Sequence, residues 1–123
     1  MQNLQYPVGK FIAPAAFSKT LLDEYISTIQ SFPDKIIAAT SNLIEQQLDT
    51  PYRPDGWTVR QVVHHCADSH MNSIIRLKLA LTEEKPTIKA YNESEWAKMA
   101  DSLTFPIHDS LQIIKGVHRR WVA

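Results

Sequence analysis

The stretch Thr58–Thr82, TVRQVVHHCADSHMNSIIRLKLALT, decides the fold. It opens on Thr58 with Gln61 three residues on. This T-x-x-Q spacing is that of a capping box, in which the two side chains satisfy backbone N–H groups left free at a helix start. Val59, Val62, Val63, Cys66, Ile74, Leu77 and Leu81 then recur at helical spacing. The pattern predicts a helix down to about Thr82, a rod of about 36 Å at 1.5 Å per residue. One stripe of it, Val59, Val63, Cys66, His70, Ile74, Leu77 and Leu81, is mostly apolar. A neighbouring stripe, Gln61, His65, Asp68 or Ser69, and Asn72, is polar yet adjoins the apolar face. His64 falls outside both and is expected near the surface.

On the N-terminal side, Asp49–Trp57 reads as a loop, with Arg53-Pro54-Asp55-Gly56 suited to a type I turn. Before it, Leu22, Tyr25, Ile26 and Ile29 share one helical face, and apolar residues resume at Ile36, Ile37, Leu43, Ile44 and Leu48. One long helix is expected there, kinked at Pro33, with a separate short turn at its end. Residues 1–17 carry no period and read as an extended arm anchored by Tyr6, Phe11, Ile12 and Phe17. On the C-terminal side, Pro86 closes the central helix. Asn92 with Glu95 opens a short helix through about Ala100, and Pro106 suits the first position of a third long helix. Ile107, Leu111, Ile114, Val117 or His118, and Trp121 recur along that helix. No segment alternates with a period of two, so the chain reads as all-α, one domain spanning 1–123. Three long helices are one fewer than a four-helix bundle needs. The last of them runs apolar to Ala123 without a glycine cap. The expectation is a bundle lacking its final helix.

Composition removes several functions. Thirteen basic and 13 acidic side chains give zero net charge over 123 residues. That excludes nucleic-acid binding by bulk electrostatics and a polybasic membrane surface. Gly9, Gly56 and Gly116 lie too far apart for a phosphate-cradling loop. No run of about 18 apolar residues spans a membrane. The N-terminus shows no signal-peptide pattern, and the single Cys66 suits a reducing compartment, so the cytoplasm is expected.

What remains is the histidine cluster. The plain reading is a solvated flank, or core histidines satisfied by hydrogen bonds. The chemical reading makes His65 a metal ligand facing the bundle interior, with Asp68, Ser69 and Asn72 as neighbours able to orient a water or the ligand itself. His64 and His65 diverge by about 100° and cannot share one metal; His65 and His70, five apart, are also a poor pair. His118 reads as a structural or surface histidine at a helix edge. Cys66 sits on the apolar stripe as a small hydrophobe. Ser69, His65 and Asp68 cannot form a catalytic triad from one helix.

The run Thr50–Trp96, with NLQYPVGKF at the start and HRRW at His118–Trp121, resembles the YfiT members of the DinB superfamily. The resemblance covers nearly the whole chain, and GWTVRQVVHHCADSHMN is its most specific string. It implies a four-helix bundle, commonly a homodimer. It implies a metal-dependent hydrolase acting on a small molecule, or in relatives a low-molecular-weight thiol (bacillithiol-like) S-transferase. It also implies zinc or nickel held by three histidines. His65 matches the one from the second helix; the other two, an H-x-x-x-H pair on the last helix, have no match in this sequence. A bundle so reduced would hold no metal and act only by association, which is the remaining alternative.

Overall fold

The computed structural model describes residues 3–123. In chain order the elements are α1 (Lys19–Thr40), α2 (Glu45–Leu48), α3 (Val59–Thr82), α4 (Glu93–Trp96), α5 (Ala100–Thr104) and α6 (His108–Trp121). Among the described residues no strand forms, and an isolated antiparallel bridge pairs Pro51 with Thr58. The all-α reading holds. The helix α6 packs against both α3 and α1, while α5 and α2 pack on α3.

The central helix starts where its caps place it. Thr58 Oγ1 accepts from the Gln61 N–H at 3.1 Å, and the Gln61 side chain accepts from the Thr58 N–H at 2.9 Å. The helix α1 is likewise capped, by Ser18 Oγ accepting from Leu21 N–H at 3.1 Å. It runs through Pro33 to Thr40 without interruption, and Pro33 is buried inside it. A proline has no N–H, so the carbonyl four residues earlier loses its helical partner. Here that carbonyl belongs to Ile29, and His118 Nδ1 of α6 donates to it at 2.6 Å.

This orients a histidine pair. A carbonyl only accepts, so His118 donates from Nδ1, and in the neutral ring its Nε2 is then the acceptor. His70 Nδ1 of α3 lies 2.6 Å from that Nε2 and donates to it. One chain of hydrogen bonds therefore joins three helices, from α3 through α6 to α1. Phe32 stacks on the His118 ring at 5.3 Å, and Trp121 meets the same ring edge-on at 5.4 Å. His118 is buried, a structural histidine rather than a surface one.

A second hub ties α3 to the start of α6. Arg60 is 2% exposed. Its Nε donates to Asp49 at 2.8 Å, its Nη1 to the Phe105 carbonyl at 2.8 Å, and its Nη2 to Glu45. His64 Nε2 donates to the same Phe105 carbonyl at 3.0 Å, and its Nδ1 accepts from Ser110 Oγ at 2.6 Å. The expected surface position of His64 is thus corrected: it is buried, because the residues preceding α6 fold over it. The apolar core around these hubs holds Leu48, Val63, Ala67, Ala97 and Ile114.

Other expectations shift. The short helix begun by Asn92 ends at Trp96, not Ala100, and α6 begins at His108, two residues after Pro106. Leu22, Tyr25 and Ile26 of α1, and Leu77 and Leu81 of α3, are exposed, so these halves of the apolar faces have no covering element among the described residues. The arm does not anchor: Phe11 is 82% exposed, and Tyr6, Ile12 and Phe17 are exposed with it. Its residues 1–2 lie outside the described residues.

Two predictions follow from the hubs. Arg60→Leu removes three hydrogen bonds but strands no buried anion, since Glu45 and Asp49 reach solvent. It should lower unfolding stability by about 1–3 kcal/mol, read as a lower urea midpoint at unchanged slope. Burial first, then His118 and His65, hold the His70 imidazole down to about 4 from an ordinary 6.5. Because the folded value is the lower one, this ring's contribution is complete above about pH 6.5 and is lost as pH falls towards 4. The loss should be about 2 kcal/mol, less than the full shift because the ring is only half-buried. Urea midpoints at pH 7.5 and 4.5 should diverge less in His70→Gln than in the parent.

Candidate functional site

His65 stands on the polar stripe of α3, half-buried. No hydrogen bond joins its ring to another described residue, so both nitrogens are free to act. Its wall is Trp57, whose ring lies 4.8 Å from the imidazole at 58°. Trp57 is held by the closure of its loop: the Tyr52 N–H donates to the Trp57 carbonyl at 3.1 Å, and the Val59 N–H to the Thr50 carbonyl at 3.2 Å. The loop turns at Arg53–Gly56, with Gly56 N–H bonded to the Arg53 carbonyl at 3.0 Å. Asp55, third in that turn, has φ +59°, which makes it type II rather than the expected type I. Gly56 is required by closeness, since a Cβ there would come within 2.6 Å of Arg53 Cγ.

The remaining stripe residues divide. Asp68 lies in reach of His65: burial first, then Asp101, push its carboxyl pKa up, while the His64 and His65 rings oppose the rise. Ser69 sits beside Tyr91, whose hydroxyl is buried. Burial, with the Glu93 and Asp68 carboxylates, raises the Tyr91 pKa and keeps it a neutral donor, against the opposing effect of Ser69 and Arg76. Asn72 spends its amide on the Asp68 carbonyl, Nδ2 to O at 2.8 Å. His70 belongs to the helix-joining pair, and His108 is exposed. Burial raises the Cys66 thiol, so it stays protonated, in keeping with the small-hydrophobe reading.

A divalent metal fits this set only in part. An unengaged imidazole suits zinc or nickel. Yet among the described residues no three His, Cys, Asp or Glu side chains gather closely enough to hold an ion. The described residues supply one donor and not a complete centre.

Three residues of the site region were not singled out from the sequence. Trp57 precedes the N-cap, and Val62 is the fourth helical residue, the two positions of a hydrophobic staple. That spacing is legible in GWTVRQV. Tyr91 has no local signal, because its approach to Ser69 depends on the path of the 83–92 segment. Arg60 has no local signal either, because its partners Glu45 and Asp49 lie 15 and 11 residues earlier in the chain.

Comparison with known proteins agrees with this architecture. The pattern described as the DinB superfamily matches residues 29–123. A protein of Bacillus mycoides is 48% identical over 122 residues, covering 99% of this chain and 70% of its own. One of Bacillus cereus is 49% identical over the same shares. Both carry the name "Putative metal-dependent hydrolase". Among solved structures, YfiT from Bacillus subtilis superposes with a TM-score of 0.95 at 48% identity, covering 98% of this chain and 69% of that one. It is described as a probable metal-dependent hydrolase with an unusual four-helix bundle topology. On sequence and on fold alike, the chain belongs to the DinB superfamily.

Proposed function

We propose that this chain belongs to a metal-dependent hydrolase of small molecules and contributes His65 as a metal ligand. The observation that carries the reading is the free, half-buried His65 imidazole against Trp57, on a stripe where Gln61 and Asn72 are engaged with backbone carbonyls. The names of relatives at 48–49% identity support the same chemistry. Zinc or nickel is the proposed metal, since both take neutral imidazole nitrogen. When bound, such an ion would supply a Lewis acid. The further donors are not among the described residues.

The chain's own groups have narrower roles. Trp57 restricts the ring orientation of His65 and keeps water from one of its faces. Asp68, with its raised pKa, is the stripe's proton acceptor and can orient a water or the His65 ring. Ser69 and Tyr91 present hydroxyls next to it. If a low-molecular-weight thiol rather than water is the nucleophile, the same groups serve an S-transferase. A homodimer is proposed on the exposed apolar faces of α1 and α3.

Titration with Ni²⁺ tests the ligand assignment. Paramagnetic broadening of amide and indole N–H signals should centre on His65, Trp57 and Asp68. His65→Ala should weaken it at least about tenfold, the usual scale for loss of a group that tunes or binds a metal. Broadening centred on the exposed His108, or untouched by His65→Ala, overturns the assignment.

A further inference from the structure

A concavity of about 380 Å³ is lined by Pro7, Tyr52, Trp57, Val59 and Val62. Its volume falls in the range of small-molecule sites. No charged side chain lines it, and its polar atoms are essentially the edges of Tyr52 and Trp57. Placing an ionised group there would cost its hydration without a partner. Arg53, next to Tyr52, donates its Nε to the Tyr52 hydroxyl at 3.1 Å. Tyr52 and Trp57 are joined by a backbone hydrogen bond at 3.1 Å, so this wall is formed before any ligand arrives. Pro7 comes from the N-terminal arm and is itself exposed.

The position of this concavity gives it a use. Trp57 is its wall and also the wall of His65, 4.8 Å from the imidazole. Val62 lies three residues before His65 on α3, about 4.5 Å along the helix axis. A ligand seated between Val59, Val62 and Trp57 therefore ends within one helical turn of His65. We propose that this is the pocket for an uncharged apolar group, an aromatic ring or branched alkyl chain, on the molecule that reacts beside His65. The proposal rests on the reading of His65 for the reaction, but not for binding. It assigns the substrate class: one neutral, apolar end in the pocket and a polar, reacting end at the histidine.

Benzyl alcohol, benzoate and benzylamine are suitable probes, titrated into the whole chain and followed by NMR. Benzyl alcohol should give saturable shifts of the Trp57 indole N–H and the Val59 and Val62 methyl groups. Benzoate and benzylamine should bind at least about fivefold more weakly, because their charges are unpaired there. Val62→Phe fills the space and should weaken benzyl alcohol about tenfold at unchanged helical content. Tyr52→Ala removes a half-exposed wall and should weaken it in a protein whose core is untouched. His65→Ala should leave benzyl alcohol binding intact while weakening Ni²⁺ broadening at least about tenfold, which separates failure of the pocket from failure of the metal assignment. Shifts centred on Leu22, Ile26 and Leu81, equal binding of benzoate, or binding indifferent to both pocket variants overturns the proposal.

Discussion

The carbonyl of Ile29 is the constraint on which the bundle turns. Pro33 deprives it of its helical donor, and His118 replaces that donor from a different helix. A buried carbonyl without a partner is costly, so the proline obliges the neighbour to carry a donor at that height. Meeting that need fixes the His118 tautomer. The tautomer in turn requires a donor from α3, and His70 supplies it. A residue that ordinarily breaks a helix thus sets the identity of two side chains on two other helices. The aromatic cage of Phe32 and Trp121 keeps water from competing for these bonds.

The Phe105 carbonyl plays a similar part at the other end of α6. It lies between α5 and α6, just before Pro106, and receives both Arg60 and His64. Arg60 is the more unusual partner, a buried cation whose two carboxylates stand in solvent. The arrangement stitches α2, α3 and the α5–α6 junction together without burying an anion. Since His70 of one hub and Arg60 and His64 of the other all stand on α3, that helix is the reference against which the site is positioned.

This explains what could be read in advance. The boundaries of α3 were legible because local chemistry sets them: a capping box at one end and the end of apolar periodicity near the other. Pro33 was legible as lying within one long helix but not as a recruiter of His118, because the pairing spans distant segments. His64 was misplaced for the same reason. Helical phase put it away from the apolar stripe, yet a buried polar side chain is as well accommodated as an apolar one when Ser110 and a carbonyl meet it. At the candidate site, the half-buried position of His65 was legible from its stripe. The tryptophan wall, the Asp55 backbone and the Tyr91 hydroxyl depend on loop paths that no period encodes. Hydrophobicity at Tyr6, Phe11, Ile12 and Phe17 is no guide to anchoring, since all four stay exposed.

The helix-joining histidine pair also orders events in time. His118 meets His70 across 48 residues and Ile29 across 89. Closing a loop costs more entropy as it lengthens, and contacts between distant segments come late in folding. The pairing of α3 with α6 encloses the shorter loop and also includes the Phe105 hub, so it supplies the first tertiary framework. The helix α1 docks onto that framework afterwards, guided by one acceptor on its inner face. By the same hierarchy α1 is the first element to part from the others, and its amides should exchange with solvent through openings that leave α3 and α6 together.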